Sequence, residues 1–165
     1  MELVAQMLSI VAMIISVLAI QIKKTSLFCL STALTCTMFA VSYFLLGSPS
    51  SAAVNLICAL RGGFASYKTT RKIGYCIFIC VLLIASCVFT YTGVLSICVC
   101  AAELVGTYAM WFASEIGIRK IKIFFQSPLW LINNIIVFTI GGIITEVFAM
   151  ASAAVFWIRF RRTKA

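Results

Sequence analysis

The sequence predicts an all-α integral membrane protein: seven transmembrane helices forming two parallel three-helix bundles joined by a linker helix. Three observations lead there. Of 165 residues, 64% are hydrophobic and 10% charged, with mean hydropathy +1.16, whereas a soluble domain averages about 45–50% apolar and about 25% charged. The apolar residues fall into runs close to the roughly 20 residues that cross a bilayer as a helix. Twelve of the thirteen Lys and Arg residues stand at the ends of such runs, Arg61 being the exception. A chain of this length built almost wholly of spans forms one membrane domain and leaves no room for a soluble catalytic domain.

The first run extends from Leu3 to Ile22 and stops at Lys23-Lys24. It opens on acidic Glu2 and lacks a small-x-small cleavage site, so it reads as a retained helix and not a signal peptide. The second, Leu27 to Leu46, ends in Gly47-Ser48-Pro49-Ser50, a turn-forming string. The third, Ala52 to Tyr67, closes on Lys68, Arg71 and Lys72. Ile73 to Ser114 has no Lys or Arg and is too long for one span, so it divides near Thr90-Tyr91-Thr92-Gly93 into a fourth and a fifth helix. Arg119, Lys120 and Lys122 open a sixth, reaching about Ile140. Gly141-Gly142 then reads as the turn into a seventh, Ile143 to Ile158, which ends in Arg159, Arg161, Arg162 and Lys164.

With this parsing all four basic clusters fall on one side of the membrane and none on the other. Lys and Arg in short loops resist translocation, so the N-terminus is expected outside and the C-terminus in the cytoplasm. The net charge of +9 therefore describes topology and contact with anionic headgroups, and no nucleic-acid partner is expected. The eight cysteines all lie inside apolar runs without a CxxC pair, and histidine and aspartate are both absent. They read as small buried apolar residues, and no metal, haem or other cofactor is expected.

Basic loop, helix, neutral Gly turn, helix, basic end occurs twice, from Lys23 to Lys72 and from Arg119 to Lys164. A shift of 91 residues sets Ser42 on Asn133, Tyr43 on Asn134, Asn55 on Glu146 and Arg71 on Arg162. The expected organisation is a first three-helix repeat over residues 1–72, a linker helix over 73–92 and a second repeat over 93–165. Four spans separate equivalent positions, so the repeats point the same way. This 3+1+3 plan resembles the SWEET sugar facilitators and the PnuC vitamin carriers, which implies a substrate site between the bundles. Tyr43-Phe44-Leu45-Leu46-Gly47 followed by Ala53, Asn55 and Arg61, and Ile140-Gly141-Gly142-Ile143-Ile144-Thr145-Glu146 followed by Ile158-Arg159-Phe160, resemble a narrower group. With Trp130 and Asn134, they are similar to the YgjV-like bacterial inner membrane proteins, which implies that compartment and fold.

An ionisable side chain at the bilayer centre costs about 2.5–3.5 kcal/mol on insertion scales, which draws attention to Arg61, Glu103 and Glu146. Arg61 is a substrate ligand or gate on one reading, a structural ion pair or headgroup contact on the other. Glu103 is a lone protonated acid, a partner of Arg61 or a proton-coupling site. Glu146 and Asn55, equivalent by repeat, suit a shared pocket or serve as interhelical glue worth about 0.6 kcal/mol. The sixth helix holds Gln126, Trp130, Asn133 and Asn134, with Asn133 one turn from Trp130; Ser42 and Tyr43 hold the matching place in the first repeat. Pro128 should kink or open that helix near Gln126. Amides beside an aromatic face suit a small polar solute. The expectation is a transporter or facilitator and not an enzyme, since hydrolytic and metal chemistries lack their parts. Its rival is a membrane scaffold binding a partner subunit or lipid. Oligomer formation is compatible with either, although two bundles can enclose a pocket within one chain.

Overall fold

The computed structural model describes residues 1–19, 25–66, 73–113, 117 and 120–151. Most of the basic clusters, at 23–24, 68–72, 119 and 159–164, lie outside the described residues, as does the end of the seventh run. Those described hold helices and no strands, in seven helices: α1 Glu2–Ala19, α2 Thr25–Leu45, α3 Pro49–Ser66, α4 Ile73–Phe89 and α5 Val94–Phe112. A π-helical turn, Lys122–Gln126, runs into Ser127–Val137 to make α6, and α7 is Ile140–Ala151. α1 and α5 are each long and apolar enough alone to cross a membrane; α4, most of α2, Phe124–Val137 and α7 are shorter apolar helices.

Polarity is inverted relative to a soluble protein. Leu3, Phe44, Val88 and Phe124 lie on the surface, each about 70% exposed, while Ser42, Arg61, Glu103, Asn133 and Asn134 are buried. Such an apolar exterior is what acyl chains require of a protein whose polar groups must be satisfied internally.

α1 buries a stripe of small residues, Ala5, Ser9, Ala12 and Ala19, at helical spacing, which lets its neighbours come close. It packs on α2, and α2 packs most extensively on α3. α3 also meets α4 and α5, α4 meets α5, and α5 packs on α6. α1 also touches α7: the Gly141 N–H donates to Ser9 Oγ at 3.2 Å.

The turn between α2 and α3 follows the expected Gly-Ser-Pro string. Gly47 takes φ +76°, Ser48 N–H donates to the Tyr43 carbonyl, and Pro49 opens α3, where its missing N–H is no loss. The interval 90–93 does separate α4 from α5. Gly141-Gly142, expected as the turn before the seventh helix, instead lies inside α7. The chain reverses three residues before Gly141, at Phe138, which adopts the left-handed conformation at φ 57° and ψ 50°. Packing explains the difference. A Cβ on Gly141 would run into the backbone of Ser9, and one on Gly142 would meet the Asn134 amide 2.5 Å away, so the glycines provide close approach and a bulkier residue takes the strained turn.

Gln6 secures that turn from α1. Its Nε2 donates to the Phe138 carbonyl at 2.6 Å and its Oε1 accepts the Ile140 N–H at 3.0 Å. Gln6→Leu leaves two backbone groups unpaired beside the membrane and is expected to cost about 1–2 kcal/mol; denaturant unfolding in detergent would read it, and an unchanged midpoint would discount the contact.

Candidate functional site

The helices enclose a cavity of about 140 Å³, close to the ~150 Å³ of an engineered cavity that holds benzene. Each wall is a stripe at helical spacing. α2 supplies Thr32, Thr35, Cys36, Phe39 and Tyr43; α3 supplies Asn55, Cys58 and Arg61; α7 supplies Gly142, Thr145 and Glu146. Ser16 comes from α1 and Glu103 from α5, whereas α4 contributes no described residue.

On α6 the wall is Lys122, Gln126, Trp130 and Asn134, every fourth residue. At 3.6 residues per turn a stripe with that spacing drifts around the helix. The π-helical turn over Lys122–Gln126 takes up an extra residue immediately before Pro128, so Lys122 and Gln126 stay on the face of Trp130. The opening expected from Pro128 is therefore present. In the regular helix that follows, Asn134, four residues after Trp130, continues this stripe and Asn133 does not.

At the cavity's centre Arg61 and Glu103 form a buried ion pair, Nη2 to Oε2 2.9 Å. Glu103 is saturated. Its Oε1 accepts from Gln126 Nε2 at 2.6 Å and Trp130 Nε1 at 2.7 Å, and its Oε2 accepts also from Cys58 Sγ at 3.1 Å. Arg61 Nη1 donates to Thr107 Oγ1 at 2.8 Å. Four donors hold the carboxylate fixed against α3 and α6, so of its three sequence readings the ion-pair partner describes the geometry. Gln126 packs against Gly106, where a Cβ would stand 2.9 Å from its Nε2.

Toward the end where α1 begins, hydrogen bonds close the cavity. Tyr43 donates its hydroxyl to Asn134 Oδ1, and Ser51 Oγ donates to Asn133 Oδ1 at 3.0 Å. The Tyr43 and Trp130 rings lie 5.9 Å apart beside that bridge. Ser50 links α3 to α5 and to the turn before it, through Ser96 Oγ at 2.8 Å and the Thr90 carbonyl.

Eight of the ten residues singled out by sequence thus share one cavity: Tyr43, Asn55, Arg61, Glu103, Gln126, Trp130, Asn134 and Glu146. Ser42 and Asn133 do not line it. Ser42 Oγ clasps α1 at the Ala5 carbonyl, 2.9 Å away, and Asn133 turns toward Ser51. Asn55 Nδ2 holds the Ser51 carbonyl of its own helix at 3.0 Å. Glu146 Oε2 is buried with no hydrogen-bond partner among the described residues. Sequence reading missed Cys36, Cys58, Thr35 and Lys122 as lining residues. Cys58 was accessible to reasoning, standing one turn from both Asn55 and Arg61. No disulfide and no cluster of metal-ligating residues occurs among the described residues.

Apolar helices around a buried polar cavity define a helical membrane protein. The chain matches the Imp-YgjV family, described as bacterial inner membrane protein, over residues 3–164, and it belongs to that family. No curated protein and no solved structure matches it.

Proposed function

We propose that this protein carries a small polar solute across the bacterial inner membrane by rocking of two three-helix units, residues 1–72 and 93–165, about the central cavity. The carrying observation is a polar cavity whose lining comes from six helices and, among the described residues, omits α4, the helix assigned as linker. Pairwise packing supports the same division. α3 packs on α5, and the reciprocal contact, last helix of the second unit with first helix of the first, is made by Gly141 and Ser9. Under a two-fold axis along the membrane normal, equivalent residues meet only at that axis. Tyr43 and Asn134, 91 residues apart, do meet; Asn55 and Glu146, at the same offset, both line the cavity.

With the N-terminus outside, the bridges through Tyr43, Ser51 and Ser50 close the outer side, and exposed Lys122 marks an opening toward the cytoplasm. This arrangement corresponds to an inward-facing state. Alternating access then requires that the Tyr43–Asn134 bridge break, which exchanges one buried hydrogen bond for contacts with solute or water.

Uptake into vesicles containing the purified protein, screened over polar solutes of up to about ten heavy atoms, is the test. The expected result is saturable flux for one class, reduced by about tenfold in Asn134→Ala and in Glu146→Gln, the loss that one charge-assisted or buried hydrogen bond produces. No flux for any class, with both variants indistinguishable from the parent, would sink the proposal.

A further inference from the structure

The charges on the cavity wall specify the solute further. Among the described residues four charged side chains line it: Arg61, Glu103, Lys122 and Glu146. The first two cancel each other at 2.9 Å, and Glu103 has every oxygen engaged. What remains is one carboxylate and one ammonium of opposite sign. No contact-distance ion pair joins them among the described residues, although Lys122 is near enough to act electrostatically on Glu146, and Glu146 presents a buried oxygen without a hydrogen-bond partner among those residues. Lys122 is exposed, one helical turn before Gln126, where the cavity meets its opening.

Each class of solute meets this pair of charges differently. A neutral polyol can hydrogen-bond to Glu146 but brings no charge to match either Glu146 or Lys122. A simple amine satisfies Glu146 and is repelled by Lys122; a simple carboxylate does the reverse. A molecule carrying both charges satisfies both. The tilted Tyr43 and Trp130 rings and Phe39 add an aromatic wall on the same cavity, a favourable surface for an ammonium group and the methylenes beside it.

Resting on the transport reading, we propose that the solute is a small zwitterion, an amino-carboxylate of about six heavy atoms by the benzene-sized volume, with its ammonium on Glu146 and its carboxylate facing Lys122.

Binding to the full-length protein in nanodiscs, read by calorimetry, tests this with glycine, β-alanine and γ-aminobutyrate against propylamine, propionate and glycerol. At least one zwitterion should bind more tightly than all three controls. Glu146→Gln should weaken it by about tenfold or more, and Lys122→Met by a similar factor. The variants should also change preference in opposite directions: Glu146→Gln toward propionate, Lys122→Met toward propylamine. A misfolded variant would lose both ligands and could not show such a switch. Glycerol binding as tightly as any zwitterion, no zwitterion binding, or a Glu146→Gln variant with unaltered zwitterion affinity would each overturn the inference. Vesicle flux of a neutral solute without zwitterion binding would overturn it while leaving transport standing; zwitterion binding without flux would overturn transport alone.

Discussion

Arg61→Met is expected to lower the unfolding free energy by about 3–5 kcal/mol, the cost of removing one partner from a buried ion pair. The guanidinium lies between α3 and α5, bonded to Glu103 and Thr107. Its removal leaves the Glu103 carboxylate inside a low-dielectric interior with only the neutral donors Gln126, Trp130 and Cys58. Those donors reduce the penalty without cancelling a charge. Glu103→Met should cost a similar amount, because Arg61 is then the uncompensated ion. The double variant Arg61→Met with Glu103→Met should be less destabilised than either single change, since it removes both charges and keeps much of the volume. Urea or thermal unfolding in one detergent measures all three. A single change costing under about 1 kcal/mol would mean that water reaches the pair and screens it.

The ion pair also shows where sequence reasoning reached its end. Both members were conspicuous because the membrane penalises them, yet nothing in the spacing linked a residue of the third run to one of the fifth. The helices themselves were legible, since apolar runs, the Gly-Ser-Pro string and the Lys-Arg stops locate spans independently of tertiary contacts. Facing was legible only partly. Thr35, Cys36 and Cys58 have the hydropathy of residues that face lipid equally well, so their place on the cavity depends on which way α2 and α3 are rotated. Asn133 against Asn134 turned on a single residue of phase. Positions three and four after Trp130 lie almost equally near its face of a regular helix, so spacing alone did not separate them; the π-helical turn over Lys122–Gln126 altered only how Lys122 and Gln126 stand relative to Trp130.

Gly141 illustrates a different difficulty, and its replacement carries the second large effect. Glycine pairs signal turns because glycine tolerates left-handed backbone, but they equally signal close helix contact, and local sequence does not separate the two. At Gly141 contact decides: a Cβ there would overlap the Ser9 backbone on α1, which a side-chain rotation cannot relieve. Gly141→Leu must therefore push α7 away from α1. That breaks the Gly141 N–H bond to Ser9 Oγ and loosens the hold of Gln6 on the neighbouring turn. Overpacking of a tight contact costs about 1–3 kcal/mol and more where backbone must move, so a loss at or above about 3 kcal/mol is expected. Gly63→Ala is the matched control, because nothing lies within 4 Å of a Cβ at Gly63. That change should instead stabilise by about 0.5–1 kcal/mol through the lower entropy of alanine in a helix. Equal effects of the two substitutions would mean that α1 and α7 separate freely, and Gly141 would then have no part in holding the two ends of the chain together.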